Sequence, residues 1–291
     1  MRINTHSNMK RILITGDEGF IGKKVVEKLS ALEIPWIGFD ITRGEDILDF
    51  NQLEAISNIK TIIHLAGITD RNFALKYPQE TQKINVLGTF NVLELARKTK
   101  AKVIFASSSL VYGDSYSHLI SEDCERKPMD PYALSKMLAE DACIYYFNNY
   151  RLTGIILRFF NIYGDSLKPG TLISDLLKQI LDPYVDIIIL RNNSSSRDYV
   201  HVRDIVTCII KCLDVEFSGT FNVGLGRAYR PLDIAEILFD KTKIRKKISI
   251  FDRSVKKSII CANIEKIRDT LGFKPEITLE KGLSELIEDI L

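Results

Sequence analysis

Arg11-Ile12-Leu13-Ile14-Thr15-Gly16-Asp17-Glu18-Gly19-Phe20-Ile21-Gly22 is the stretch on which the fold turns. Its first five residues form a short apolar run ending at a glycine, which reads as a buried strand. From Phe20 to Leu32 the apolar residues recur with a helical period. The glycines between them are spaced G-x-x-G-x-x-G. Glycine there lets the backbone turn tightly and approach a pyrophosphate, while the helix N-terminus offers unpaired N–H groups to the anion. A glycine trio alone is ordinary turn chemistry. Set between an apolar strand and an amphipathic helix, Gly16, Gly19 and Gly22 predict a dinucleotide site.

Working outward, strand and helix alternate. Trp36 to Asp40, Thr61 to Leu65, Lys102 to Ala106 and Thr153 to Leu157 read as strands. A long helix is expected from about Gln79 to Lys98, and another begins after Asp130-Pro131, an N-cap followed by a first-turn proline. Such alternation implies right-handed crossovers and a parallel sheet with helices on both faces. Ligands of these sheets sit beyond the carboxyl ends of the strands. Gly16, Asp40, Ala66, Ser107-Ser108 and Asn161 all follow strands. Asp40 comes about 20 residues past the glycines, where a carboxylate accepts bonds from ribose hydroxyls and repels a 2′-phosphate. It therefore favours NAD over NADP, although Arg43 nearby could blur that preference.

Past Gly164 the alternation fades. Leu172 to Leu181 and Leu232 to Asp240 read as helices, Ile187 to Leu190 as a strand, and Gly219 to Gly226 as a strand and turn. The fold class expected is α/β: a Rossmann-type doubly wound parallel sheet over residues 1–164, to which segment 197–226 returns. A smaller, discontinuous α/β lobe fills 165–291.

Bulk properties remove several function classes. The 291 residues are 45% hydrophobic and 27% charged, with a net charge of +2. That balance gives no reason to expect nucleic acid or an anionic membrane as partner. No apolar run is long enough to span a bilayer. Met1 to Met9 are polar, lack a signal-peptide core and read as a short leader. Five cysteines without a C-x-x-C pair suit free thiols in a reducing cytoplasm, and four scattered histidines suggest no metal.

Tyr132 and Lys136 stand four residues apart in a helix-friendly segment, which puts both on one helical face. An ammonium nearby favours the ionised form of a phenol. The pair can take a proton from a hydroxyl or return one to a ketone. Locally, an ordinary amphipathic helix explains the spacing equally well.

Taken together and in order, the motifs resemble the extended short-chain dehydrogenases/reductases, specifically the NAD-dependent nucleotide-sugar epimerase/dehydratase group. Thr15 to Gly22 is similar to T-G-x-x-G-F-I-G, Asp46-Ile47 to the adenine-contacting D-I pair, and His64-Leu65-Ala66-Gly67 to H-L-A-A. Asn85 to Thr89 matches N-V-x-G-T, Ser107 to Gly113 matches S-S-x-x-V-Y-G, and Tyr132 to Lys136 matches Y-x-x-x-K. Leu157 to Gly164 resembles L-R-x-x-N-x-Y-G, and Arg197 to Asp204 resembles R-D-[FY]-V-[HY]-V-x-D. Phe221 to Gly224 and Leu271 to Pro275 match F-N-[IV]-G and L-G-[FW]-x-P.

The resemblance implies NAD as cofactor and a nucleotide-diphosphate sugar as substrate, bound by the smaller lobe. It implies Ser108, Tyr132 and Lys136 as catalytic residues: the tyrosine as acid/base, the lysine holding the nicotinamide ribose and lowering the phenol pKa, and the serine orienting the substrate oxygen. Cofactor contacts fall on Gly16, Gly19, Phe20, Ile21, Gly22, Asp40, Asp46, Ile47, Leu65, Ala66, Gly67, Asn85, Ser107 and Phe160, besides Tyr132 and Lys136. Substrate contacts fall on Ser108, Asn161, Arg197 and Arg253, the arginines suiting a diphosphate. Arg158 stays open between a structural and a functional role. The chain departs from the family tail around Arg253, where Ser254-Val255-Lys256 and Asn263 replace the usual glycine and acids.

Within that family, 4,6-dehydratases carry Asp-Glu directly after the catalytic Ser/Thr; here those positions are Ser109 and Leu110. The cysteine of reductases that also epimerise at C3 and C5 is absent too. A 4-epimerase working through a 4-keto sugar is the leading expectation. A net 4-dehydrogenase or 4-ketoreductase is the alternative, favoured slightly by the short chain, and a non-catalytic NAD-binding sensor or scaffold is the third. The resemblance also implies a homodimer, formed through the helices holding Gln79–Lys98 and Tyr132–Tyr150; the cytoplasmic location is the one expected from the free thiols.

Overall fold

The computed structural model describes residues 10–114, 118–165, 170–251 and 257–290. The leader read at Met1 to Met9 and the phosphate candidate Arg253 lie outside the described residues. The chain runs β1 (Arg11–Thr15), α1 (Phe20–Ala31), β2 (Trp36–Phe39), α2 (Phe50–Glu54), β3 (Ile59–His64), α3 (Arg71–Lys76), α4 (Pro78–Gln82), α5 (Gly88–Thr99), β4 (Lys102–Ser108), α6 (Pro131–Tyr150) and β5 (Gly154–Phe159). It continues through β6 (Asn161–Tyr163), α7 (Leu172–Leu181), β7 (Ile187–Leu190), β8 (Ser196–His201), α8 (Val202–Lys211), β9 (Gly219–Val223), β10 (Ala228–Tyr229), α9 (Pro231–Thr242), β11 (Lys247–Ile250), β12 (Ile259–Ile260), α10 (Glu265–Leu271) and α11 (Leu279–Glu288). Among the described residues no helix is long and apolar enough to cross a membrane.

Two compact units result. The first comprises Met1–Gly113, Asp123–Phe159 and Ile205–Phe221. Its sheet has the order β2-β1-β3-β4-β5-β9. The pairs β1/β2, β1/β3, β3/β4 and β4/β5 are all parallel. β1 and β4 are buried almost without interruption, with no solvent side for alternation, as strands covered on both faces are. Leu13, Ile37, Ile62, Val103 and Ile156 carry the core, against Val92 and Leu93 of α5 and Ala139 and Cys143 of α6. The chain moves outward in one direction from β1 to β2 and in the other from β1 to β3, so the switch point lies at the carboxyl ends of β1 and β3.

The helix expected over Gln79–Lys98 is not one regular helix. α4 gives way at Lys83–Leu87 to a turn of π-helix before α5 begins. Such a bulge re-aims the side chains within it, and the redirected residue is Asn85, buried and held by polar partners described below. β2 likewise ends one residue early, at Phe39, because Asp40 leaves the strand to cap the turn Ile41–Arg43 through Thr42 N.

The second unit comprises Asp114–Glu122, Phe160–Asp204 and Asn222–Leu291. β8 pairs in parallel with β6 and β12 and antiparallel with β10, while β7 and β11 form a separate parallel pair. Ile173, Leu176 and Ile180 of α7 pack with Ile234 and Leu238 of α9 and Leu283 and Leu286 of α11. Asp198 is fully buried at the centre of β8, where Leu225, Gly226 and Ala262 donate backbone N–H groups to it at 2.7, 2.9 and 3.2 Å. Burial pushes its carboxyl up to about 6 against those bonds. The aspartate of the R-D-Y-V-H-V stretch is therefore a fastening for two strand-end segments, one after β9 and one after β12.

Candidate dinucleotide and catalytic site

The glycine turn is built by close approach. Gly16 has φ +77, and a Cβ there would lie 2.7 Å from Ala66 N. A Cβ on Gly22 would lie 2.1 Å from the Gly16 carbonyl oxygen. Bare backbone is thus required where the end of β1, the loop after β3 and the first turn of α1 meet. Gly19 precedes α1 with no side chain capping the helix, which leaves first-turn N–H groups available to an anion.

The loop after β3 is held by a chain of hydrogen bonds. Ala66 N donates to Thr15 Oγ1 at 3.3 Å, Thr15 Oγ1 meets His64 Nδ1 at 2.7 Å, and His64 Nε2 meets Thr89 Oγ1 at 3.0 Å. Thr89 Oγ1 donates to the Asn85 carbonyl at 2.6 Å. Burial, aided by the Lys136 charge, lowers His64 to about 3, so the ring is neutral. Asn85 then braces the same loop: its Oδ1 accepts from Ile68 N at 2.7 Å, and its Nδ2 donates to Ile68 O at 3.0 Å and to Ser135 Oγ at 2.8 Å. Gly67 lies against it, since a Cβ there would come within 2.7 Å of Asn85 Oδ1. Leu65 N closes on the Thr15 carbonyl at 3.0 Å.

At the end of β2, Asp40 is nearly buried and accepts from Thr42 N at 2.9 Å and from Glu18 N at 3.3 Å. Arg43 does not stand free beside it. Its guanidinium reaches Asp17 at 2.7 Å, Glu18 at 3.0 Å and Glu45 at 3.0 Å. Asp46 caps the next turn by accepting from Leu48 N at 2.9 Å, and Ile47 packs under Gly88, where a Cβ would come within 2.5 Å of its Cδ1.

Ser108, Tyr132 and Lys136 converge at the carboxyl end of β4. α6 starts where expected, with Asp130 accepting from Ala133 N at 2.8 Å and Pro131 in the first turn. Ser108 caps the short turn Ser109–Tyr112 and hydrogen-bonds the Tyr132 hydroxyl. Burial pushes the phenol up to about 12, opposed by that bond. Lys136 donates to the Ala106 carbonyl at 2.9 Å, lies 5.0 Å from the centre of the Phe105 ring, and is lowered to about 8 by burial. Desolvation therefore governs both groups. The expected lowering of the phenol by the lysine is not what dominates this pocket.

Ser107 points the other way. Its hydroxyl donates at 2.5 Å to Glu140, which is fully buried one turn beyond Lys136. Glu140 also accepts from Arg158 Nε at 2.9 Å, from Arg158 Nη2 at 2.7 Å and from Arg126 Nη1 at 3.2 Å. Arg158 Nη1 donates to the Tyr112 hydroxyl at 2.7 Å. Burial alone would lower the Arg158 guanidinium, but the Glu140 bonds and charge raise it above its ordinary value. Arg158 is thus a structural cation, and Glu140 is a residue that sequence reading passed over. Its spacing, four residues after Lys136 on one helical face, was the available signal.

In the second unit, Phe160 is buried and its N–H donates to Val223 O at 3.0 Å. Asn161 Nδ2 donates to Asp198 O at 2.9 Å. Arg197 donates to Asp114 at 3.0 Å and to Ser258 Oγ at 2.8 Å.

A glycine turn at a switch point, an uncapped helix, a strand-end carboxylate and a buried Ser–Tyr–Lys cluster define a dinucleotide-binding α/β protein of the Rossmann type. The model of the NAD dependent epimerase/dehydratase family matches residues 12–224, and the chain belongs to that family, whose cofactor is NAD. The chain is 30% identical over 299 residues to a putative UDP-glucose 4-epimerase of Methanocaldococcus jannaschii, covering 95% of this chain and 97% of that one. It is 28% identical over 295 residues to GDP-6-deoxy-D-mannose reductase of Pseudomonas aeruginosa, covering 96% and 97%. The solved structure of RMD from Pseudomonas aeruginosa complexed with NADPH superposes with a TM-score of 0.87 at 27% identity, over 97% of this chain and 98% of that one. The bare-backbone cradle at Gly16 and Gly22, the open α1 terminus and Asp40 fit a dinucleotide.

Proposed function

We propose that this chain is an NAD-dependent nucleotide-sugar 4-epimerase acting through a 4-keto sugar. The observation that carries the reading is the buried Ser108–Tyr132–Lys136 cluster followed by Ser109 and Leu110, where a dehydrating acid pair would stand. NAD, when bound, supplies reversible hydride acceptance at the sugar carbon. Gly16, Gly19, Phe20, Ile21 and Gly22 would hold its pyrophosphate, Asp40 its adenosine ribose, Asp46 and Ile47 its adenine side, and Leu65, Ala66, Gly67 and Asn85 would support its length, while Ser107, turned to Glu140, would serve the site only from behind. Lys136 would take the nicotinamide ribose, and Phe160 would pack by the nicotinamide.

Ser108 orients the C4 oxygen through its hydroxyl. Tyr132 would take the C4 hydroxyl proton during oxidation in its ionised form, which the positive charges of bound NAD⁺ and Lys136 would favour against burial, and would return it during reduction. For the reverse face to be reduced, the keto sugar must turn over, so it is held through its diphosphate and base. Asn161 and Arg197 are the contacts we assign to that part, together with Arg253. Leu110 offers no proton-transferring group, which leaves dehydration without its acid. A net 4-dehydrogenase or 4-ketoreductase is the second reading, favoured by the similarity to a GDP-6-deoxy-D-mannose reductase.

Incubation with UDP-, dTDP- and GDP-sugars, followed by NMR of the sugar and absorbance of NADH, separates the readings. Inversion at C4 without net NADH change supports the epimerase; stoichiometric NADH change supports the dehydrogenase or reductase. Tyr132→Phe should lower turnover by about 10²–10⁴-fold, and full turnover in that variant would sink the catalytic assignment and favour a non-catalytic NAD-binding protein. We also propose a homodimer through α5 and α6, supported by exposed Phe90, Leu134, Leu138, Ile144 and Tyr145. A monomer on gel filtration would remove it.

A further inference from the structure

Just past the second strand of a dinucleotide fold, a carboxylate takes the ribose 2′-hydroxyl, whereas an arginine nearby accommodates a 2′-phosphate. This chain carries both within three positions, Asp40 and Arg43. Their preferences conflict. A related solved structure, RMD, is complexed with NADPH, so local side chains and not the fold must decide.

Three carboxylates occupy the Arg43 guanidinium. Nη2 donates to Asp17 Oδ1 at 2.7 Å, Nη1 to Glu18 Oε1 at 3.0 Å, and Nε to Glu45 Oε2 at 3.1 Å. The forked face that would recognise a phosphate is already taken. The arrangement is built in. The other Asp17 oxygen, Oδ2, has no hydrogen-bond partner and is wedged over Gly38, where a Cβ would come within 2.2 Å of it. Glu45 Oε2 also accepts from Asp40 N at 2.9 Å, and Glu18 N donates to Asp40 Oδ2 at 3.3 Å. Two of the three groups that bind Arg43, Glu18 and Glu45, thus also fix Asp40. Four carboxylates around one guanidinium leave this rim negative, and a phosphate monoester brings about two further negative charges.

We propose that Asp17, Glu18 and Glu45 form a clamp that withholds Arg43 from a 2′-phosphate, and that the clamp together with Asp40 sets the choice of NAD over NADP. This does not depend on which reaction occurs at the sugar. Glu18→Gln/Glu45→Gln strips the charge from the groups that hold Nη1 and Nε, leaving only neutral amide acceptors, while Asp17 still pairs Nη2. Calorimetric titration with NAD⁺ and with NADP⁺ then reads the ratio of the two dissociation constants. That ratio, NADP⁺ over NAD⁺, should fall about tenfold or more in the double variant. Adding Arg43→Gln to the same background should restore it; where that triple variant melts early, Arg43→Lys, which lacks the fork, should restore it in part. An unchanged ratio in the double variant overturns the clamp. So does an equal fall with Arg43 replaced, because removal of negative charge would then suffice without the arginine. Failure of the wild-type chain to bind either dinucleotide would instead refute the cofactor, a separable outcome.

Discussion

The first unit holds two arginine–carboxylate networks of opposite stoichiometry. At the rim, one guanidinium, Arg43, is shared by Asp17, Glu18 and Glu45 and is about a quarter exposed. One turn beyond Lys136, one fully buried carboxylate, Glu140, is shared by Arg158 and Arg126. A buried carboxylate with an excess of donors is satisfied on every side, and removing it strands a cation in low dielectric. A quarter-exposed cation at the rim with an excess of acceptors is partly screened by water, so its charges contribute less to folding. What they do is set the local potential. Similar side chains thus serve rigidity in one place and selectivity in the other.

The comparison breaks first at Glu140. Glu140→Leu should cost about 3–5 kcal/mol in denaturant unfolding, because Arg158 stays buried without its partner; a loss under about 1 kcal/mol would show that the network does not hold β4, β5 and α6 together. The next effect is in pH. Folded Lys136 sits at about 8, below its ordinary 10.5, with Glu140 opposing the shift. Between those values the unfolded chain holds a proton that the folded chain has lost, so stability rises with pH across the window, by about 3 kcal/mol in full. Tyr132, raised to about 12, works in the other direction only above its ordinary value, because there the folded chain keeps the proton. Melting curves from pH 8 to 10 should therefore show a rise that Lys136→Met lacks.

At the rim the changes are smaller. Arg43→Gln leaves Asp17 unpaired beside Gly38 and should cost about 1–3 kcal/mol, recovered in large part by Asp17→Asn in the same chain. Glu18→Gln should change stability by no more than about 0.5 kcal/mol. Paired with Glu45→Gln, it should still move cofactor preference. A large stability loss with unchanged preference would reverse the contrast between the two networks.

What could be read from the sequence was whatever is encoded locally. Gly16 to Gly22 is a turn between a strand and a helix, and Tyr132 and Lys136 share one face of α6, so neighbouring residues carry the signal. The Asp130-Pro131 start of α6 was legible for the same reason. Glu140 was not, because its meaning depends on Ser107 and Arg158, which reach it only when β4 and β5 pair and α6 crosses them. Arg43 looked like a cation free to confuse Asp40; its three partners come from two loops that the sheet brings together. The π-turn at Lys83–Leu87 escaped because the apolar period there suits a regular helix, and only the demand of Asn85 for Ile68 and Ser135 breaks it. Lys102 reads only as the first residue of a strand; that its ammonium donates to Leu213 O and Val215 O at 2.6 and 2.7 Å depends on a segment more than a hundred residues away.

The path from Ala66 through Thr15, His64 and Thr89 to Asn85 has a direction. An amide hydrogen enters at one end and a carbonyl receives at the other, so each hydroxyl has a single permitted orientation. Imidazole is left no choice of tautomer: Nδ1 must accept and Nε2 must carry the hydrogen. In nitrogen-15 spectra the ring should show one pyridine-type and one pyrrole-type resonance, stationary from pH 5 to 9. The strand-end loop is thereby wired with a polarity as fixed as that of the backbone itself.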